Sequence, residues 1–153
     1  MPVLLGEYEC SMDAKGRLRI PTPLLRQFGE QEKHSFILNR GVDKHLTLFP
    51  REVWEKEKIK IDTLNTYNAD ARKFRRVFYS GATEIEVDDQ GRILLPKRLV
   101  EYAEIEKEVV LFAINDRVEI WSLDEYDAMM NDDTEDLSEL AAKVLGNSLT
   151  DLP

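Results

Sequence analysis

Two short segments of the sequence, 13–21 and 88–96, hold the residue types that could do chemistry. Each has aspartate first, glycine fourth, arginine fifth and proline ninth. Aspartate and glycine are favoured at the first and fourth positions of a type I turn, and the arginine follows directly. Its guanidinium is a planar fork of donors that suits phosphates and the O6/N7 edge of guanine. The chemistry that this pattern favours is recognition of a nucleic acid.

The first segment is the more basic of the two. Lys15, Arg17 and Arg19 recur at every second position, so a strand would place them on one side if the turn permits. Such a row of cations could reach both base edges and phosphates. In the second segment, glutamine and leucine replace the lysine and the outer arginine, an extra acid is present, and Arg92 is retained. For Arg92, a DNA contact and a turn-closing pair with its aspartate both stay open.

The other shared residues of the two segments are expected to build the turn. Aspartate favours turns, and glycine fits positions where other side chains would be strained. Proline cannot donate to a strand ladder and suits the start of a helix, so it ends the strand. These structural positions are Asp13, Gly16, Pro21, Asp88, Gly91 and Pro96.

Both segments belong to a longer internal repeat, whose offset is 75 residues through the turn and 72 residues further on. In each copy, the pattern predicts a strand on either side of the turn, then a short helix and two more strands. The predicted strands are Glu7–Met12, Arg17–Ile20, Phe36–Asn39, Leu46–Phe49, Glu84–Val87, Arg92–Leu95, Val109–Ile114 and Arg117–Trp121, and the predicted helices are Pro23–Phe28 and Lys97–Ala103. One copy of this size buries too little surface to be stable alone. We therefore expect a mainly β protein with short helices, an α+β fold in which two modules fuse into one pseudo-two-fold barrel.

Two further segments are expected to be helical. Tyr67, Ala71, Phe74 and Phe78 form an apolar stripe between the copies, and the four cations at 72–76 occupy the other faces, where solvent or a subunit contact is favoured over phosphate. Near the C-terminus, the amphipathic segment 137–145 is followed by a glycine that can end a helix. The predicted organisation is a first module over 5–52, a connecting helical segment over 53–80, a second module over 81–124 and an acidic helical tail over 125–153.

The charge of the chain is unevenly distributed. Its net charge is −9, and residues 124–153, with nine acids and one base, carry −8 of it. Residues 13–26 carry one acid and four bases, a local charge of +3. A binding face depends on the local charge, so the overall acidity does not exclude DNA.

Several classes of protein are disfavoured by composition. No apolar run reaches the length of a membrane span, and the first residues lack the basic start of a signal peptide. Cys10 is the only cysteine, so no internal disulfide can form, which fits the cytoplasm; its repeat partner is isoleucine, which favours a small buried apolar role. With two histidines, no metal-ligand spacing and no phosphate loop, we expect no enzyme, cofactor, metal or small-molecule substrate.

The duplicated Asp-x-x-Gly-Arg turn, its matched flanks, the arginine-rich helix between the copies and the chain length together resemble the MraZ family. The resemblance covers almost the whole chain. It implies two AbrB/SpoVT-like swapped-hairpin modules and a cytoplasmic, nucleoid-associated regulator of the division and cell-wall gene cluster. It also implies double-stranded DNA as the partner, with short repeats in the regulator's own promoter bound by subunits of a ring, and Arg17 as the expected DNA contact. Modules of this type are also found in antitoxins, so the acidic tail could instead cap a toxin or serve another assembly. RNA binding is less favoured, because the strands lack exposed aromatic pairs for stacking.

Overall fold

A computed structural model describes residues 3–29, 35–132 and 136–146. The strands are β1 Leu4–Ser11, β2 Arg17–Arg19, β3 Ser35–Arg40, β4 Leu46–Pro50, β5 Thr83–Glu86, β6 Arg92–Leu94, β7 Glu108–Asn115 and β8 Arg117–Ser122. The helices are α1 Thr22–Gln27, α2 Arg51–Asp62, α3 Ala69–Gly81, α4 Lys97–Tyr102, α5 Leu123–Met130 and α6 Leu137–Leu145. The predicted α+β class is confirmed, and every predicted strand and short helix is present, with β1 starting three residues earlier than expected.

The two copies exchange strands. β1 of the first copy pairs with β7 of the second, and β5 of the second pairs with β3 of the first, all antiparallel. The larger sheet therefore has the order β1-β7-β8-β4-β3-β5, and β2 and β6 form a separate two-stranded sheet. Since each copy supplies a strand to the other copy's hairpin, neither half has a complete sheet without its counterpart.

Strand registers place an approximate two-fold axis between the copies. In the two-stranded sheet, Leu18 lies opposite Ile93, which is its equivalent at the offset of 75. In the larger sheet, Thr47 lies opposite Glu119, its equivalent at the offset of 72. Equivalent residues can face each other in an antiparallel pair only where a two-fold axis passes between them. The predicted pseudo-two-fold unit is thus confirmed.

The two-stranded sheet closes the barrel over a shared core. Met12, just after β1, forms a bridge with Leu18 of β2, so the small sheet continues from the edge strand of the large one. Leu18 and Ile93 are 0% and 1% exposed, and they join one cluster with apolar residues of both copies. Burying a leucine or isoleucine in this way stabilises a fold by about 1.5–3 kcal/mol. The alternation along β2 and β6 turns the flanking residues outward.

Helices cover the outer face of each hairpin. In the first copy, Trp54 of α2 packs on Phe49 with ring centroids 5.6 Å apart, and Phe78 of α3 stacks on Trp54 at 5.4 Å. In the second copy, Tyr126 of α5 packs on Trp121 at 6.1 Å, in the same relative positions. The counterpart of α3 by chain order is α6, but no residue of α6 is buried. The repeat therefore holds through the first helix after each hairpin and breaks at the second.

The helix α3 in the connecting region begins later than the predicted apolar stripe, which started at Tyr67. Asn68 caps α3 by accepting a hydrogen bond from the backbone N–H of Ala71 at 3.0 Å, so the helix begins after Tyr67. Tyr67 is 94% exposed and belongs to neither the helix nor the core. No helix among the described residues is long and apolar enough to cross a membrane.

Candidate nucleic-acid interface

A carboxylate holds the first turn together. Asp13 Oδ1 accepts hydrogen bonds from the backbone N–H groups of Lys15 and Arg17, both at 2.9 Å, and Asp13 Oδ2 accepts from Arg17 Nε at 2.8 Å. The Gly16 N–H donates to the Asp13 carbonyl at 3.0 Å, and Gly16 has a φ of 80°, a conformation that favours glycine. The backbone bond from Arg17, followed by its side-chain bond and charge, lowers the pKa of Asp13. The aspartate thus aims the arginine as well as closing the turn.

The second turn repeats this geometry. Asp88 accepts from the backbone N–H groups of Gln90 and Arg92 at 2.9 Å and from Arg92 Nε at 2.8 Å. The same bonds lower the pKa of Asp88, with the backbone bond from Arg92 as the largest cause. Among the described residues, neither Arg17 nor Arg92 has a hydrogen-bond partner for its Nη groups. Each turn therefore anchors its arginine at Nε and leaves the terminal donors of the fork available for a ligand.

Pairing of β2 with β6 brings the arginines of the two copies onto one surface. Arg19 lies opposite Arg92, and Arg17 lies opposite Leu94. Because Leu18 and its partner face the core, these four residues face outward together. We call Arg17, Arg19, Arg92 and Leu94 the ribbon face. Arg19 and Leu94 are exposed on it, and the two anchored arginines are half-buried.

Lys15 lies in the turn and not on the strand, which begins at Arg17. Its side chain is exposed beside the ribbon face, and its backbone N–H is used by Asp13. Of the three cations in the expected row, Arg17 and Arg19 therefore lie on one side of a strand, and Lys15 does not lie on the strand. Sequence reasoning did not place Arg92 next to Arg19, because that neighbourhood depends on pairing between the copies. The matching offset of the two turns was the signal that could have suggested it.

The two prolines begin helices at the ends of the small sheet. Pro21 and Pro96 are the residues directly before α1 and α4, with φ of −55° and −59°. Their carbonyls accept from the N–H groups of Leu25 at 2.9 Å and Val100 at 3.0 Å, which starts each helix.

A second basic surface lies on α3. Arg72, Lys73 and Arg76 are exposed there, while Arg75 is half-buried and pairs with Asp62 at 3.3 Å. These cations occupy a helix face and not a strand, so they do not extend the ribbon face. Their position on a convex helix leaves them open to solvent or to another macromolecule.

Residues suited to metal or thiol chemistry do not gather in a site within the described ranges. No group of three or more histidine, cysteine, aspartate or glutamate side chains in the described part of the chain could hold a metal ion. Burial, with a smaller contribution from Glu108, raises the pKa of Cys10 to about 11, so its thiol stays protonated near neutral pH. Cys10 is half-buried against the core, which fits the apolar role expected for it.

Comparisons with known proteins agree with the duplicated architecture. A family model described as "MraZ protein, putative antitoxin-like" matches residues 3–77 and again 78–147. The protein named Transcriptional regulator MraZ from Christiangramia forsetii is 40% identical over 145 residues, which is 94% of each chain. A protein of the same name from Carboxydothermus hydrogenoformans is 42% identical over 94% of this chain and 97% of its own. Another, from Desulforamulus reducens, is 44% identical over 82% of this chain and 85% of its own. The solution structure of PHS018 from Pyrococcus horikoshii is 15% identical and covers 76% of this chain and 97% of that one, with a TM-score of 0.34, too low to indicate a shared fold.

Proposed function

The chain belongs to the MraZ family of transcriptional regulators, and we propose that it acts by binding double-stranded DNA through the ribbon face. The observation that carries this proposal is the pair of anchored arginines. Arg17 and Arg92 are each fixed at Nε by an aspartate, with the Nη donors free of other described residues. An arginine held in one orientation loses less conformational freedom on binding, which favours specific contacts with base edges.

Within the ribbon face, Arg17 is the main proposed contact. Lys15 and Arg19 flank it, whereas the equivalent neighbours of Arg92 are glutamine and leucine. Arg92 nevertheless lies opposite Arg19, so it joins the same surface as a subsidiary contact. A two-stranded antiparallel ribbon fits the width of the major groove, where arginine can bind guanine at two atoms. The flanking cations would bind phosphates and set the register of the protein on DNA.

The target and assembly follow from the family resemblance. We propose that the protein regulates the division and cell-wall gene cluster, including its own promoter, as a cytoplasmic, nucleoid-associated protein. Several subunits of a ring would each bind one of a series of short repeats. Linking several weak ribbon contacts raises the overall affinity without any new contact, provided that the spacing of the repeats matches that of the subunits.

Footprinting on DNA upstream of the chain's own gene tests the proposal. We expect evenly spaced protection, which Arg17→Ala abolishes without changing the mass of the assembly measured by light scattering. Arg26→Ala, an exposed arginine of the same module outside the ribbon face, is the matched control and should protect as the unmodified protein does. Affinity should fall steeply with salt, since several phosphates are neutralised at once. Unchanged protection by Arg17→Ala would refute the assignment of the site.

A toxin-neutralising role is the second candidate, and one observation favours it. The helix α6 in the acidic tail is uncovered, as a segment that caps a partner protein would be. That role would be supported if a small protein copurifies at a fixed ratio with a dimer of this chain. Deleting residues 131–153 should then remove both the small protein and the fixed-ratio complex. A large assembly without such a partner would support the regulator.

A further inference from the structure

Helix α6 presents an apolar stripe that nothing in the described chain covers. Leu137, Leu140 and Val144 follow one another at spacings of three and four residues, and they are 83%, 44% and 78% exposed. Residues at these spacings share one face of a helix. Large apolar side chains exposed together along one face of a helix mark an interaction surface.

A groove beside α3 offers a matching acceptor. Phe74 and Val77 are 46% and 48% exposed, and with Ile61 and Phe78 they border a cavity of about 520 Å³ between the helices and the sheet. We call these four residues the α3 groove. The remaining walls of the cavity are mixed, with polar and charged side chains of both signs. The apolar side chains at its α3 border can pack against an amphipathic helix, which presents residues at spacings of three and four.

Charge selects between the two faces on which α6 could dock. Helix α3 carries four bases and one acid. Helix α6 itself carries one acid and one base, but the five residues directly before it, 132–136, include four acids and no base. Exposed Lys73 lies one helical turn before Val77, and exposed Arg76 is its neighbour in sequence, so cations flank the groove. The equivalent face of the second copy is different, because the exposed methionines of α5 share their helix with three acids and no base. The acidic segment that leads into α6, with Asp136 and Glu139 at the start of the helix, is repelled by that face and attracted by α3.

We propose that α6 of one copy docks into the α3 groove of a second copy. Every chain then has one donor helix and one acceptor groove, and the interface is heterologous. Such head-to-tail contacts generate a ring when the rotation between neighbours closes and a filament when it does not. This interface rests on the proposed multi-subunit regulator and names the surfaces that join its subunits. It also assigns to the acidic tail a role in assembly, separate from the ribbon face.

Two complementary variants test this interface. Leu140→Glu places a charge in the donor stripe and leaves the groove intact, while Phe74→Glu damages the groove and leaves the donor intact. Each variant alone should lose the large assembly, measured by light scattering after gel filtration. Mixed together, they should form a one-to-one heterodimer that grows no further, because a single working interface remains between them.

Matched controls separate docking from misfolding. Ala142→Glu adds the same charge to α6 at an exposed position about 160° around the helix from Leu140, away from the stripe, and should assemble normally. Phe74→Leu keeps the groove apolar and should also assemble. If Phe74→Glu lowers the helical circular dichroism signal, Val77→Glu replaces it in the mixing experiment.

The outcomes also distinguish this interface from the proposed function. An unmodified protein that is monomeric, an unchanged assembly in Leu140→Glu, or no heterodimer on mixing would each overturn the docking of α6 on a second copy. In those cases protection of promoter DNA that depends on Arg17 would still support the regulator. Loss of DNA binding by Phe74→Glu at a single isolated site would instead indicate that α3 contacts DNA, and would overturn the groove as a subunit contact.

Discussion

The two turns of the barrel are nearly identical in geometry and different in surroundings. Asp13 and Asp88 make the same three hydrogen bonds, with equal distances of 2.9, 2.9 and 2.8 Å. The outward positions around them differ, since the first copy has cations where the second has glutamine and leucine. Residues that determine the backbone are shared because both turns must close the same barrel. Residues that face solvent are free to differ, and a difference in function is expected there.

The helices after each hairpin extend this comparison. Trp54 and Tyr126 occupy equivalent positions, but among the described residues a second helix covers Trp54 and none covers Tyr126. The first copy therefore completes its packing within the chain, whereas the second leaves α6 available for another molecule.

The largest expected effect tests the difference in helix packing between the two copies. Trp54→Ala should lower the free energy of unfolding by about 3–5 kcal/mol, because it removes a buried ring that α3 and β4 both contact. Tyr126→Ala should cost less, near the lower end at about 3 kcal/mol, because no second helix packs on it. Urea denaturation at one protein concentration measures both. Equal losses would contradict the claim that α3 adds packing that the second copy lacks.

A smaller effect tests how much Arg17 and Arg92 each contribute to DNA binding on the ribbon face. Arg92→Ala should weaken specific DNA binding by about tenfold, corresponding to one contact of about 1.4 kcal/mol, whereas Arg17→Ala abolishes it. The reason is that Arg92 shares the surface with Arg19 but lacks basic neighbours in its own turn. Gel shifts at fixed salt give both affinities. An equal loss in the two variants would mean that both copies read DNA to the same extent.

Most of the local structure follows from sequence patterns, and the arrangement of the site does not. Alternation predicted β1, β2, β5 and β6, which have one face in the core. The strands β3 and β4 are buried on both faces, and short apolar runs in matching places of the repeat predicted them. The position of Arg92 beside Arg19 was not predicted, since it arises from pairing between strands 73 residues apart in the chain. The stripe that included Tyr67 was extended too far, because Asn68 caps the helix and the apolar spacing continued past the cap by coincidence. Periodicity reports which residues share a face, but not where a cap ends the helix.

The smallest expected effect concerns the turns themselves, where the two copies should be indistinguishable. The pKa of both Asp13 and Asp88 is lowered from 3.8 by donors that bond to the ionised carboxylate. Since each pKa is lower in the folded protein, each carboxylate stabilises the fold fully above the ordinary pKa, and this stabilisation is lost as the pH falls through the lowered value. Carboxyl carbon chemical shifts followed by NMR from pH 6 downward should give two midpoints below 3.8 that agree with each other, with Asp13→Asn and Asp88→Asn used for assignment. A lowered midpoint for Asp13 alone would show that the second turn keeps its shape without its aspartate–arginine pair, and Arg92 would then be free to move on the ribbon face.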